Sequence, residues 1–214
     1  GAGLRTRLGR DRPPNGFGRL TESFHPLRHL GEFGPVEGAR GTIEFVDLLN
    51  LTTAPGQKIR VASVNPGVEV FDGEVEFQLR NGELLAVSGG SWPFMGGQLI
   101  LRDVDLNLGV SEERRYLFEI VGLDAAVFMT QMDLENISAT GLFDGTVPIV
   151  FDAAGNGRID TGVLISRPPG GNISYVGDLT YEDLSPIANF AFDALKSLDY
   201  TQMRVVMEGP LTGE

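Results

Sequence analysis

From Ala39 onward the chain alternates apolar and polar positions in segments of roughly ten residues, separated by Gly, Pro, Asn and Asp. Period two predicts strands. They fall at Gly41–Thr52, Gln57–Ser63, Val68–Arg80, Glu83–Ser88, Gly97–Leu108, Arg114–Val121, Glu135–Thr140, Leu142–Phe151, Arg158–Ser166, Ile173–Leu179 and Met203–Pro210. The connections read as hairpins. Arg80-Asn81-Gly82-Glu83 carries the Asn-Gly pair that suits two successive positive φ values. Gly155-Asn156-Gly157 and Pro169-Gly170-Gly171-Asn172 supply two more turns. Consecutive hairpins give a meander, so the expected fold is mainly β with an antiparallel sheet.

Two helices interrupt the pattern. Ser185-Pro186 reads as an N-cap with Pro at the first helical position. Ile187, Phe190, Ala191, Ala194, Leu195 and Leu198 then follow at helical spacing, predicting an amphipathic C-terminal helix over about 185–198. These six residues are expected to pack on the sheet or to plug it. A shorter helix is expected from Asp124 through Met129. Residues 1–38 show weak periodicity and many Gly, Pro and Arg, and read as a basic, partly irregular lead-in arm. Residues 39–214 form the β-sheet domain.

The strands carry large apolar groups on one side. Phe71, Val75, Phe77 and Leu79 share one face of Val68–Arg80, while Asp72, Glu74, Glu76 and Gln78 share the other. Tyr116, Phe118 and Ile120 line one face of their strand. The faces of Gly97–Leu108 are mixed, with Leu99 and Leu101 on one and Ile100, Val104, Leu106 and Leu108 on the other. A one-sided sheet must cover its apolar face with a second sheet, a helix or a ligand. The pattern leaves all three open.

Composition removes several functions. Apolar residues make up 42% of the 214 and charged residues 21%, ordinary globular values. No run of about 18 apolar residues exists to span a bilayer as a helix. There is no cysteine, which excludes disulfides, thiolate catalysis and Cys-based metal sites. Net charge is −12, yet residues 1–40 hold seven arginines against four acids. The acidic remainder repels phosphate backbones, so no nucleic-acid partner is expected.

Candidate chemistry is sparse. His25 and His29 lie four apart with Pro26 between them and no accompanying Glu, a poor metal pair. No Gly-x-Ser-x-Gly elbow occurs. Asp152 to Asp160 resembles a calcium loop, but Ala154 and Val163 stand where two essential oxygens are needed, so it reads as a polar hairpin tip. No spacing singles out a carboxylate pair for glycoside hydrolysis. No catalytic residue, metal site or cofactor is expected. Trp92-Pro93-Phe94, between Gly89-Gly90 and Gly96-Gly97, is the one conspicuous aromatic cluster, either a corner of the core or the wall of a ligand groove.

These segments, taken together, resemble the C-terminal region of the YdbH family, also filed under an old dicarboxylate-transport label and grouped with AsmA-like and TamB-like bridge proteins. The resemblance rests on Thr53-Ala54-Pro55-Gly56-Gln57, Asn65-Pro66-Gly67-Val68, Trp92-Pro93-Phe94-Met95-Gly96-Gly97 and Val121-Gly122-Leu123-Asp124-Ala125-Ala126. Ala139 to Pro148, Pro169-Gly170-Gly171, Tyr175-Val176-Gly177 and Phe192-Asp193-Ala194-Leu195 follow in the same order. It covers about residues 36–214. It implies an extended, curved sheet forming a U-shaped, taco-like trough. This would cross the periplasm of a Gram-negative bacterium and shield phospholipid acyl chains, with inner-membrane anchoring through a region outside this sequence. It further implies a small outer-membrane lipoprotein as partner. On this reading Phe71, Phe77, Leu79, Trp92, Phe94, Leu99, Leu101, Phe118, Ile120, Phe143, Ile149 and Phe151 line the groove. The alternative is a closed cap that recruits the lipoprotein by β-strand augmentation without holding lipid. The dicarboxylate label finds no clustered Arg or Lys pocket to support it.

Overall fold

The structure is a computed structural model. It describes residues 37–65, 68–176 and 196–211, and the backbone alone of 18–23. Ten strands follow one another in a single antiparallel path: β1 (Gly18–Ser23), β2 (Arg40–Asp47), β4 (Gln57–Val64), β5 (Val70–Arg80), β6 (Leu84–Phe94), β7 (Gly97–Leu101), β9 (Arg114–Asp124), β11 (Leu142–Phe151), β12 (Gly157–Ser166) and β15 (Arg204–Pro210). Two short strands lie off the path. β3 (Thr52–Thr53) pairs with β2, and β8 (Val104–Asn107) pairs with β6. The resulting 12-stranded sheet is open, because β1 and β15 stand at opposite ends of the path. A separate three-stranded sheet joins β10 (Ile137–Ala139), β13 (Gly171–Tyr175) and β14 (Leu198–Tyr200).

The meander follows from the turns. Asn81 and Gly82 both take positive φ, 53° and 66°, between β5 and β6. Met95 and Gly96 do the same, at 46° and 81°, between β6 and β7. Among the described residues one helix occurs, α1 (Ala125–Gln131), where the Asp124 signal predicted it. Asp124 caps it, its Oδ1 accepting the N–H groups of Ala126 at 2.8 Å and Val127 at 3.4 Å.

The structure corrects several expectations. Leu198 does not close a helix. It opens β14, paired with Ile173 and 48% exposed. Ile187, Phe190, Ala191, Ala194 and Leu195 lie outside the described residues, as do His25 and His29. The expected strand over 97–108 is two strands. The Arg102 N–H turns aside to the Leu117 carbonyl at 2.9 Å, and the phase of burial changes there. Leu99 and Leu101 face inward before the break, and Val104 and Leu106 after it, which accounts for the mixed faces in the sequence. Trp92 lies within β6 and is buried in the core, just past a register shift in which Glu76 pairs with Gly89 and Phe77 with Val87. Part of the lead-in, Gly18–Ser23, extends the sheet by pairing with β2.

Candidate functional site

Cross-strand partners share a face, so the register traces the apolar surface directly. Ile59 pairs with Val75, Val75 with Gly90, Gly90 with Leu101, Leu101 with Phe118 and Phe118 with Val147. A parallel row runs Trp92, Leu99, Ile120, Gly145, Leu164 and Val205. The two rows reach from β4 to β15. Their buried members belong to one connected cluster with Val61, Phe77, Val87, Tyr116, Phe143, Ile149 and Phe151. The reverse face carries the charges. Lys58 bridges Glu74 at 3.1 Å and Glu76 at 3.7 Å, and Arg102 bridges Glu119 at 2.6 Å.

Nine of the twelve candidate lining residues are buried in this cluster: Phe77, Trp92, Leu99, Leu101, Phe118, Ile120, Phe143, Ile149 and Phe151. Phe94 is half-buried against it, and Leu79 is half-buried. Phe71 is placed elsewhere. Asp72 takes φ 55°, the alternation slips, Val70 turns inward and Phe71 is left 54% exposed. Tyr116, Val147, Leu164, Met95 and Leu123 also join the cluster without having been nominated. Extending period two along β9, β11 and β12 would have found most of them. Met95, in a turn, has no such signal.

Trp92 is seated on glycine. Its indole lies over Gly73 and Gly90, and a Cβ on either would overlap the ring. The ring is buried, and its Nε1–H has no hydrogen-bond partner among the described residues. Two aromatic contacts brace the far side of the face. Tyr116 meets Phe151 edge-on at 5.8 Å, and Phe143 meets Tyr200 at 6.2 Å.

Polar residues near the face have structural work. Asp144 forks to Arg167, with 2.6 Å contacts to both Nε and Nη2, and Asp144 Oδ1 also accepts the Gly122 N–H at 2.8 Å. The guanidinium of Arg167 holds the Asp144 carboxyl below the usual carboxylate range. The clamp ties β9, β11 and the end of β12. Asp152 spends its carboxylate on its own loop, accepting the N–H groups of Ala154 at 2.8 Å and Asn156 at 2.9 Å. Its second oxygen takes the Asn156 side-chain amide at 2.9 Å. Among the described residues no group of three or more His, Cys, Asp or Glu could hold a metal ion, and no helix is long and apolar enough to cross a membrane.

The class is therefore an open antiparallel sheet with one continuous apolar face and one charged face. The model of the YdbH-like family, described as intermembrane phospholipid transport protein YdbH, matches residues 17–214, and the chain belongs to that family. The family is one of lipid transport rather than of enzymes. No curated protein and no solved structure matches the chain.

Proposed function

We propose that this chain is a C-terminal, periplasmic segment of an intermembrane phospholipid transporter and that its apolar face shields acyl chains between the two membranes. The carrying observation is the pair of apolar rows that run without a charged residue from β4 to β15, in a member of a phospholipid-transport family. Each buried CH₂ is worth about 0.8 kcal/mol, so a dry apolar face accepts a lipid tail without any directed chemistry. A sheet that curves along its path would wrap such a tail as a trough. Phe77, Trp92, Leu99, Leu101, Phe118 and Ile120 occupy its middle strands. The full-length protein would be held at the inner membrane by a region outside this sequence.

Native mass spectrometry of the purified chain, followed by lipid extraction, tests this reading. Co-purified phospholipid is expected. Phe118→Glu is expected to abolish capture while leaving the β-sheet circular dichroism in place. A clean apo mass that takes up no added lipid overturns the groove.

A second reading is favoured by the free side of β15. This strand ends the path and pairs with β12 alone among the described residues. A strand from a small outer-membrane lipoprotein would extend the sheet there. Photo-crosslinking from the exposed position of Glu208 is expected to capture such a lipoprotein in cells, and absence of an adduct counts against this edge.

A further inference from the structure

Along β15 the exposed residues are Arg204, Val206, Glu208 and Pro210. Val206 is 54% exposed, and its cross-strand partner on β12 is Val163. A strand that ends a sheet is commonly guarded by charge, by a bulge or by proline. Here a bare valine stands at the middle, with a base two positions before it and an acid two positions after it. The side chains of Arg204 and Glu208 make no ion pair or hydrogen bond among the described residues.

The register fixes where the main chain of β15 points. The Ser166 N–H donates to the Met203 carbonyl and the Leu211 N–H to the Gly157 carbonyl, both at 2.9 Å. Successive residues of a strand turn their N–H and C=O groups to opposite edges. Met203, Val205, Met207, Gly209 and Leu211 therefore face β12, and Arg204, Val206 and Glu208 aim their main-chain groups at the free side. The same three carry their side chains on the outer face, while Val205 and Met207 pack on the apolar face. Pro210 also points to the free side but has no N–H, so a ladder built on this edge stops there.

We propose that a second copy of this chain pairs with this edge, β15 against β15, antiparallel about a two-fold axis at Val206. The axis sets Val206 against Val206 of the second copy, and Arg204 of each copy against Glu208 of the other. In all of these pairs both main-chain hydrogen bonds are exchanged, and the contact is the same patch on both copies. Charge selects the axis, because opposite charges directly across a ladder stabilise it and like charges destabilise it. An axis at Arg204 or at Glu208 sets like charges face to face. An axis at Val205 or at Met207 sets a charge against Val206. At Val206 alone the charges pair, the outer face gains a continuous row of valines from Val163 to its copy, and Val205 meets Met207 on the apolar face. Asp160, beside the register shift opposite Glu208, does not compete for Arg204, because Arg158 holds it at 3.2 Å and Arg115 at 3.6 Å. The inference goes beyond the readings above. It needs no lipid, and a lipoprotein strand at this edge would have to displace the second copy.

Sedimentation equilibrium of the purified chain tests it, at about 0.15 M salt, where the net charge of −12 on each copy is screened beyond about 8 Å. A concentration-dependent dimer is expected. Glu208→Arg sets arginine against arginine in both pairs and is expected to weaken the dimer about tenfold or more. Arg204→Glu sets glutamate against glutamate, with the same effect. An equimolar mixture of these two variants regains opposite charges in both pairs and is expected to associate like the parent, as is the chain that carries both changes. Both positions are exposed, so the far-ultraviolet circular dichroism of every variant should match the parent. Three results overturn the proposal. They are a parent that stays monomeric, which leaves the edge to a different strand, a dimer that neither single change weakens, and a mixture of the two variants that stays monomeric.

Discussion

Gly73 and Trp92 show what a single side chain decides here. The indole occupies the space that a Cβ at Gly73 would need, so Gly73→Ala must push the ring off its seat. Overpacking of this kind costs about 1–3 kcal/mol. Urea unfolding is expected to show that loss, and a smaller one when Gly73→Ala is combined with Trp92→Phe. Trp92→Phe alone shrinks the buried ring but also removes an N–H that has no partner among the described residues. An unsatisfied buried donor costs about 1–3 kcal/mol, so the two effects offset and the net change should stay within about 1 kcal/mol. Conspicuous as Trp92 is in the sequence, nothing there marks Gly73, nineteen positions earlier, as its seat. The pairing of β5 with β6 made the contact.

At the scale of elements, the Asp144 clamp and the cap of α1 hold one end of the sheet in place. The folded carboxyl of Asp144 titrates below its unfolded value, chiefly through its bond to Arg167. Its stabilisation is therefore complete above the unfolded value of about 3.9 and is lost as pH falls through the lower folded value. The thermal midpoint should drop below about pH 4. In Asp144→Asn that share of the acid dependence should disappear, at a cost of about 1 kcal/mol at pH 7. The cost is modest because both partners are more than two-fifths exposed, at 44 and 42%, and solvent screens the pair. Asp124→Ala removes an N-cap and should cost about 1 kcal/mol, seen as weaker amide protection in α1. The α1 cap was readable from Asp124 and the residues after it. The clamp was not, because Gly122, Asp144 and Arg167 meet only through the register of β9, β11 and β12.

Over the whole molecule, a sheet with one apolar and one charged face can exchange its apolar contacts for lipid without changing its hydrogen-bond ladder. Trp92 is the only tryptophan in the chain and lies on that face, so its fluorescence reports on the occupant. Phospholipids brominated along the acyl chain are expected to quench it on uptake, while lipids brominated at the headgroup leave it bright. Unchanged emission with bound lipid would place the lipid on another surface.

Alternation and turn chemistry alone determined that this protein is an antiparallel β meander, that its strands are one-sided, and that a helix begins after Asp124. These are local properties. A period of two and a pair of positive-φ residues act within a few positions, so the sequence displays them. Family membership was also legible, through the order of its turn segments. Tertiary structure decided the rest. The break at Arg102 and Asp103, the slip at Asp72 that exposes Phe71, the strand at Leu198 and the glycine seat of Trp92 all depend on a neighbouring strand. A strand's partner is chosen by register across the whole sheet, and no single segment of the chain encodes that register by itself.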